Sequence, residues 1–215
     1  MSLNLLNRPF YEEMEVEQLQ NFAEITGFSS GIDIQTIFEQ IKDAQQIVEL
    51  GSGYGRSLYR LRALGFSNKL LGIERTQRFA DYANAHLGHG TPTDCADLMT
   101  NLNLPDTDVF LWLWSGIMEF SYDEKIERIT HFSKSLKKNG RFFIDLPAKK
   151  VQKVGDYESD QRLILRQQWG VLRAEQPTAA EMHQIAHKAK LNVLPSIFYF
   201  TDKGYERQMF IFQKP

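Results

Sequence analysis

The stretch Gln46-Ile47-Val48-Glu49-Leu50-Gly51-Ser52-Gly53-Tyr54-Gly55 decides the fold of this chain. Its apolar first half predicts a buried strand, and the leucines that recur from Arg56 to Leu64 predict a helix directly after the glycines. Glycines at such a turn let the backbone approach a ligand closely, and the start of the helix offers N–H groups that no carbonyl has taken. The stretch therefore predicts a strand–turn–helix unit with a ligand at the turn.

The spacing of the glycines narrows the class of ligand. Gly51, Gly53 and Gly55 lie at i, i+2 and i+4, whereas a dinucleotide site needs G-x-G-x-x-G. The Gly-Lys-Ser/Thr of a nucleoside triphosphate loop does not follow either. Glu49 stands two residues before the first glycine, where its carboxylate would repel a pyrophosphate. This arrangement favours a ligand that has a cationic group and no phosphate.

An acidic residue also ends the next predicted strand, Lys69 to Glu74. A carboxylate at this place can accept hydrogen bonds from both hydroxyls of a ribose. Arg75 beside it either offers a face for adenine stacking or is a solvated arginine. The two glutamates together indicate a cationic nucleoside without phosphate, and S-adenosylmethionine fits that description with its ammonium and sulfonium groups.

Short apolar runs alternate with helical patterns along the rest of the chain, which favours an α/β fold with a mainly parallel sheet. Only Thr201 to Arg207 separates the last two predicted strands, and this is too short for a crossover helix, so the last strand is expected to run antiparallel. We expect about seven strands with helices on both faces. The other predicted strands are Thr91–Cys95, Val109–Trp114, Arg141–Leu146, Asn192–Phe200 and Gln208–Gln213, and helices are predicted at Glu12–Thr26, Ile32–Lys42, after Thr76, after Ser121 and after Thr178.

Composition bounds the remaining possibilities. The 215 residues are 42% hydrophobic and 24% charged, which suits one globular domain. A net charge of −2 gives no electrostatic reason to expect nucleic acid or an anionic membrane as partner. The single cysteine, Cys95, excludes a disulfide framework, and no stretch approaches the roughly 18 apolar residues of a membrane span. A cytoplasmic protein is the expectation.

The glycine turn followed by Leu71-Gly72-Ile73-Glu74 resembles the class I S-adenosylmethionine-dependent methyltransferases. The similarity continues through Ala96-Asp97-Leu98 and Asp108-Val109-Phe110-Leu111 to Leu136–Ile144, which is similar to the family's LKPGG segment. The resemblance implies a three-layer Rossmann-like methyltransferase fold, S-adenosylmethionine as cofactor and S-adenosylhomocysteine as product. It is good from Ile47 to Pro147 and looser beyond.

The resemblance also implies which residues contact the cofactor. An acid at the end of the third strand would bond the adenine amino group; spacing favours Asp97 and leaves Asp94 open, with Leu98 against the ring. The segment Asn7–Tyr11 would cover the cofactor and bring an aromatic ring near the sulfonium. The expected cofactor residues are Tyr11, Glu49, Leu50, Gly51, Ser52, Gly53, Gly55, Glu74, Arg75, Asp97, Leu98 and Trp114. No metal site is expected.

The methyl acceptor is expected beyond the fourth strand, along Trp114–Phe120. Glu119 is the candidate catalytic residue there, as a group that accepts a proton or holds a cationic amine; a glutamate in solvent is the alternative. Trp112 and Trp114 stand two apart and are expected on one face of their strand.

We expect a single methyltransferase domain over residues 1–215. It comprises an N-terminal helical lid or extension (1–44), a cofactor-binding core (45–147), a variable segment on the acceptor side (148–176) and a C-terminal helix with an antiparallel strand pair (177–215). The predicted function is methyl transfer to a small molecule by in-line displacement. A protein N-methyltransferase of the lysine type and a non-catalytic cofactor-binding subunit are the alternatives. Sequence leaves the acceptor atom and the oligomeric state open.

Overall fold

The computed structural model describes residues 2–88, 90–149 and 155–215. Three helices come first, and the strands and the remaining helices follow, with several strands consecutive in the chain. The helices are α1 (Leu3–Glu12), α2 (Val16–Thr26), α3 (Ile32–Ile41), α4 (Arg56–Ala63), α5 (Gln77–Leu87), α6 (Tyr122–Ser133) and α7 (Ala179–Lys188). The strands are β1 (Gln46–Leu50), β2 (Lys69–Glu74), β3 (Thr93–Cys95), β4 (Thr107–Trp112), β5 (Leu136–Pro147), β6 (Asp156–Tyr157), β7 (Arg162–Gln167), β8 (Gly170–Glu175), β9 (Asn192–Phe200) and β10 (Glu206–Gln213), with a short 3₁₀ helix at Gly116–Glu119.

Seven of these strands form the central sheet in the order β3-β2-β1-β4-β5-β10-β9. The first five strands in that order pair in parallel, whereas β10 pairs antiparallel with both β5 and β9. The predicted seven-stranded sheet with an antiparallel last strand is therefore confirmed, and so is the Rossmann-like arrangement.

Helices bury both faces of this sheet. Successive residues of β1 pack into two separate cores, Val48 into the one beneath α6 and α7 and Ile47 into the one beneath α3 and α4. All five residues of β1 are buried, as expected for a parallel strand covered on both sides. The carboxyl ends of the parallel strands meet at one edge, where ligands of such sheets bind.

Two elements lie outside the predicted set. One is α1, whose interior Pro9 argues against a helix from sequence alone. The other is the small antiparallel sheet β6-β7-β8, which forms much of the segment predicted only as a variable acceptor-side region. Residues 150–154 of that segment lie outside the described residues. The two elements pack together at the carboxyl edge of the central sheet.

The expectation that Trp112 and Trp114 share one face is wrong. Strand β4 ends at Trp112, and the next residues turn sharply, with φ of 50° at Trp114 and 66° at Ser115. Trp112 therefore packs edge-on against Phe120, while Trp114 contacts Phe22 on the other side. Period-2 alternation fails because the strand does not extend as far as the apolar run.

No helix within residues 2–88, 90–149 and 155–215 is long and apolar enough to cross a membrane.

Candidate functional site

The glycine turn after β1 has a backbone that side chains disfavour. Gly51, Gly53 and Gly55 have φ of 73°, 54° and 84°. The N–H groups of Gly51 and Ser52 donate to the carbonyl of Ile73, at 2.8 and 3.0 Å. The turn is thus fastened to the end of β2, and it exposes the start of α4 to the edge of the sheet.

The glycines have different tasks. A Cβ on Gly51 would meet no atom within 4 Å, which leaves open space for a ligand. A Cβ on Gly55 would lie 2.7 Å from Leu87 Cδ1, so this glycine permits α4 to pack against α5. Leu50 is buried in the sheet core. Of the predicted cofactor residues, Leu50 and Gly55 therefore stand back from the cavity and support the turn.

A cavity of about 220 Å³ lies at the carboxyl edge of the sheet, between the glycine turn, the end of β4 and the covering elements α1 and β8. The remaining predicted residues come together around it: Tyr11, Glu49, Gly51, Ser52, Gly53, Glu74, Arg75, Asp97, Leu98, Trp114 and Glu119.

Glu49 is buried at the wall of this cavity with half of its carboxylate unpaired. Ser57 donates its hydroxyl to Oε1, whereas Oε2 is buried and has no hydrogen-bond partner among the described residues. Burial raises the pKa of Glu49 to about 8, against the opposing effects of the Ser57 hydrogen bond and Arg56. Native proteins rarely leave such an atom unpaired, so its position indicates a ligand that donates a hydrogen bond or carries positive charge.

Glu74 couples the glycine turn to the end of β2. Its Oε2 accepts from the N–H of Gly53 at 2.9 Å, and its Oε1 accepts from the N–H of Thr76 at 2.7 Å. Burial raises the pKa of Glu74, and the two backbone hydrogen bonds oppose this shift. Each carboxylate oxygen has a second lone pair, so the group retains the capacity to accept from a ribose.

The structure separates the two candidate acids after the third strand. Asp97 lines the cavity and accepts hydrogen bonds from the N–H of Met99 at 2.9 Å and from Arg8 Nη2 at 2.6 Å. Asp94 is exposed on β3 and lies away from the cavity. Leu98 is buried beside Asp97 at the cavity wall. The geometry favours Asp97 of the two.

Glu119 lies beneath α1 and both of its carboxylate oxygens are engaged. The Tyr11 hydroxyl donates to Oε1 at 2.5 Å, and Oε2 accepts from Asn7 Nδ2 at 3.4 Å and Arg75 Nη2 at 3.3 Å. Burial raises the pKa of Glu119, and Arg75 opposes that shift. The alternative of a glutamate in solvent does not hold for this geometry.

Arg75 is likewise held under the covering helix. Its Nη1 donates to the carbonyl of Asn4 at 2.9 Å, and its guanidinium lies 5.1 Å from the centre of the Tyr11 ring. The side chain of Arg75 is only 13% exposed, which contradicts the alternative of a solvated arginine.

Asn7 is a residue that sequence reasoning missed. It is completely buried, and its amide both accepts from the N–H of Arg173 at 2.8 Å and donates to the carbonyl of Arg173 at 2.7 Å. The side chain thereby acts as a backbone partner for the edge of β8. We call α1 with the sheet β6-β7-β8 the lid, because Asn7 joins the two into one cover over the cavity.

Two buried ion pairs form the cavity floor. Arg56 donates to both oxygens of Asp33, at 2.8 and 2.6 Å. Arg207 donates from Nε and Nη2 to the two oxygens of Asp145, at 3.2 and 2.5 Å. Sequence analysis found neither pair, because each joins segments that are far apart in the chain and neither belongs to the glycine motif.

Comparison with solved structures shows the same fold in proteins of low sequence identity. A S-adenosylmethionine-dependent methyltransferase from Clostridium acetobutylicum superimposes with a TM-score of 0.69 at 16% identity, covering 91% of this chain and 98% of its own. Magnesium protoporphyrin IX methyltransferase from Synechocystis, with S-adenosylmethionine bound, gives 0.62 at 12% identity and covers 92% and 83%. An amino pentose methyltransferase from Micromonospora echinaspora gives 0.62 at 15% identity and covers 88% and 91%.

No protein-family model matches the chain, and no relative is found among curated proteins. The likeness to solved structures therefore shows the fold, and the activity has to be argued from the site.

Proposed function

We propose that this chain, which has the fold of S-adenosylmethionine-dependent methyltransferases, binds that cofactor at the glycine turn and transfers its methyl group to a small molecule. The single observation that carries the proposal is the unpaired Oε2 of Glu49, buried beside an open glycine turn. An ammonium group supplies what this oxygen lacks.

The other residues of the cavity suit the same cofactor. Glu74 has lone pairs for ribose hydroxyls, and Asp97 and Leu98 offer an acid and an apolar side chain for adenine. Ser52 also has a buried hydroxyl oxygen, and no described residue offers it a hydrogen-bond partner. Two acids at the turn disfavour a pyrophosphate, so dinucleotides fit this site poorly.

S-adenosylmethionine supplies a methyl group on a sulfonium, which is an electrophile with a good leaving group. The task of the chain is then to orient the two reactants and to exclude water. The aromatic wall formed by Phe22, Phe28 and Trp114 provides an apolar setting for a cationic sulfonium. Tyr11 is held by Glu119 with its ring against the guanidinium of Arg75, so its position is fixed by the closed lid.

Glu119 fits a positioning role better than the predicted role of a base. A general base has to take the acceptor proton readily. Here Tyr11 donates to Oε1, and Asn7 and Arg75 donate to Oε2, and these three donors stabilise the ionised carboxylate and make it a weaker base. We infer that Glu119 holds the lid closed. The same contacts disfavour the lysine-type reading, which used Glu119 to hold an amine.

The lid also favours a small acceptor over a protein. It covers the cavity from α1 to β8, so an acceptor has to fit beneath it or enter while it is open. Two of the structurally similar enzymes are named for a porphyrin and an amino sugar as acceptors, which is consistent with small molecules on this fold. We propose cytoplasmic methylation of a metabolite-sized compound.

Turnover of cofactor labelled in its methyl group tests this function. The purified chain is incubated with the label and either a metabolite extract or a protein lysate. We expect label in small molecules only. Label in protein alone would establish the lysine-type alternative. Cofactor binding without label in either fraction would support a non-catalytic subunit.

A further inference from the structure

We propose that Arg207 recognises the methyl acceptor and that the acceptor is an aromatic carboxylate. This inference rests on the proposed function and adds the substrate class and the residue that selects it. It comes from three hydrogen-bond donors at the end of the cavity opposite Glu74, none of which the cofactor residues include.

The sheet places Arg207 at a distance from the cofactor residues. Arg207 pairs with Pro147, so it lies at the carboxyl end of β5. Glu74 ends β2, and the order β2-β1-β4-β5-β10 puts four strand spacings, about 19 Å, between the two strands. A cofactor whose nucleoside lies over β2 and β3 and whose amino group lies at β1 leaves the β5–β10 end to the acceptor.

The Arg207 guanidinium is held in place by hydrogen bonds to its neighbours. Its Nε and Nη2 are bonded to Asp145, and Nη2 also donates to Ser115 Oγ at 2.7 Å. Its Nη1 donates to neither Asp145 nor Ser115, the Tyr199 hydroxyl is a further neighbour of the guanidinium, and Arg207 lines the cavity. Asp145 is held in turn by the Tyr199 hydroxyl at 2.8 Å and the N–H of Trp114 at 3.1 Å. The guanidinium is therefore fixed, with one nitrogen left to bind a ligand.

Two further hydrogen-bond donors, the hydroxyls of Ser115 and Tyr205, lie near Arg207 in the cavity. The Ser115 hydroxyl accepts from Arg207 and keeps its own hydrogen for another acceptor. The Tyr205 hydroxyl has no partner within the described ranges, and both residues line the same cavity. Three donors without a matching acceptor call for a ligand group that accepts several hydrogen bonds, and a carboxylate does this with two oxygens.

The backbone at Ser115 has an unfavourable conformation. Trp114 and Ser115 are consecutive non-glycine residues with φ of 50° and 66°. Such a conformation costs free energy and persists where the surroundings enforce it, most often at functional sites. Asp145 enforces it here, because its side chain accepts from the N–H of Trp114 and its carbonyl from the N–H of Ser115 at 3.2 Å.

Aromatic side chains lie beside Arg207, and they favour an acceptor with an aromatic ring. Phe28 lies between the two buried arginines, 5.0 Å from the Arg207 guanidinium and 5.5 Å from that of Arg56. The Trp114 ring lies 5.7 Å from Phe28 and 5.6 Å from Phe22. These three side chains line the cavity, and a flat ring that stacks on this aromatic wall would place its carboxylate on Arg207.

Binding without turnover tests the inference. Benzoate and its neutral isostere benzamide are titrated by calorimetry into the full chain saturated with S-adenosylhomocysteine. We expect benzoate to bind at least about 10-fold more tightly than benzamide. In Arg207→Gln this preference disappears while the affinity for S-adenosylhomocysteine stays the same. The control is Arg141→Gln, the same change at a β5 residue that pairs with Gln213 at the other end of β10, and this variant keeps the preference.

A second pair of variants leaves the buried ion pair intact. Ser115→Ala and Tyr205→Phe each remove one donor, and we expect each to weaken benzoate about 3- to 10-fold and benzamide by less, because a carboxylate accepts stronger hydrogen bonds than a neutral amide. These variants decide the matter if Arg207→Gln does not fold because Asp145 is left unpaired.

Three results overturn the inference: equal binding of benzoate and benzamide to the unaltered chain, an unchanged preference in both donor variants, or loss of S-adenosylhomocysteine affinity in Arg207→Gln. The last would show that Arg207 holds the cofactor. If the unaltered chain does not bind S-adenosylhomocysteine at all, the proposed function fails instead.

Discussion

The Tyr11 hydroxyl of α1 donates a 2.5 Å hydrogen bond to Oε1 of Glu119, which lies beneath this helix. Burial and the neighbouring Glu119 raise the pKa of Tyr11, so its phenol remains a donor throughout the physiological range. One contact thus links the covering helix to the segment after β4, where the acceptor is expected.

Removing that hydroxyl should loosen the lid. In Tyr11→Phe the ring remains while the bond to a carboxylate is lost, and we expect the amides of α1 to exchange hydrogen about tenfold faster. Hydrogen exchange of α1, measured against that of α6, checks this. Tyr59→Phe is the matched control, because Tyr59 is exposed on α4. Equal exchange in both variants would show that the bond does not hold α1 in place.

Cofactor affinity should depend on pH through Glu49. Burial raises its pKa to about 8, so the folded chain carries a proton on Glu49 at neutral pH. A cationic ligand favours the ionised carboxylate, and binding then releases this proton. We expect affinity to rise up to about tenfold per pH unit between about pH 6 and pH 8.

The variant Glu49→Gln supplies the comparison. It should bind the cofactor more weakly and with little dependence on pH in the same range, as measured by calorimetry in two buffers of different ionisation enthalpy. The free energy of unfolding of this variant should also lack the pH dependence that Glu49 contributes. A folded-state pKa above the unfolded value favours the native state below about pH 4 to 5, and that stabilisation is lost as pH rises towards about 8. A steep affinity profile in Glu49→Gln would assign the titration to another group.

Gly55 should be far less replaceable than Gly65. Both have positive φ, 84° and 92°, but a Cβ on Gly55 lies 2.7 Å from Leu87 Cδ1, while a Cβ on Gly65 meets nothing within 4 Å. We expect Gly55→Ala to lower the free energy of unfolding by about 2–5 kcal/mol. Gly65→Ala should cost about 1–2 kcal/mol, from the backbone alone. Urea denaturation compares them, and equal losses would refute the packing role of Gly55.

Asp33 should matter for stability more than any exposed ion pair. Its carboxylate is completely buried and pairs with Arg56 through two hydrogen bonds. Asp33→Asn leaves the Arg56 charge buried and unpaired, which should lower the free energy of unfolding by about 3–5 kcal/mol. Glu39→Gln, which removes an exposed pair with Lys42, should produce no measurable change in the same denaturation experiment.

The parts of the structure that sequence predicted share one property: their pattern is local. The glycine turn and the apolar runs around β1 and β4 predicted a mainly parallel sheet, because burial on both faces leaves continuous apolar strands. The antiparallel β10 followed from the length of a single loop. Spacing also favoured Asp97, which lines the cavity, over Asp94, which does not; its contact with adenine stays a prediction.

The parts that sequence missed depend on partners far away in the chain. The helix α1 contains Pro9, and Asn7 gains its importance only through Arg173 in β8. The strands β7 and β8 are short and half-exposed. The turn around Trp169 that joins them lacks the Asn-Gly or Asp-Gly pair that is typical of tight hairpins. The Asp145–Arg207 ion pair joins β5 to β10, and no local sequence motif predicts it.

The central claim is that the glycine turn, Glu49 and Glu74 bind S-adenosylmethionine, and calorimetric titration of the unaltered chain and of Glu74→Ala tests it most directly. The account predicts saturable binding of S-adenosylmethionine, no comparable binding of NAD, and a loss of about 1–3 kcal/mol of binding free energy in Glu74→Ala. Asp94→Ala, on the exposed part of β3, should bind like the unaltered chain. Tight binding of NAD without binding of S-adenosylmethionine would contradict the claim.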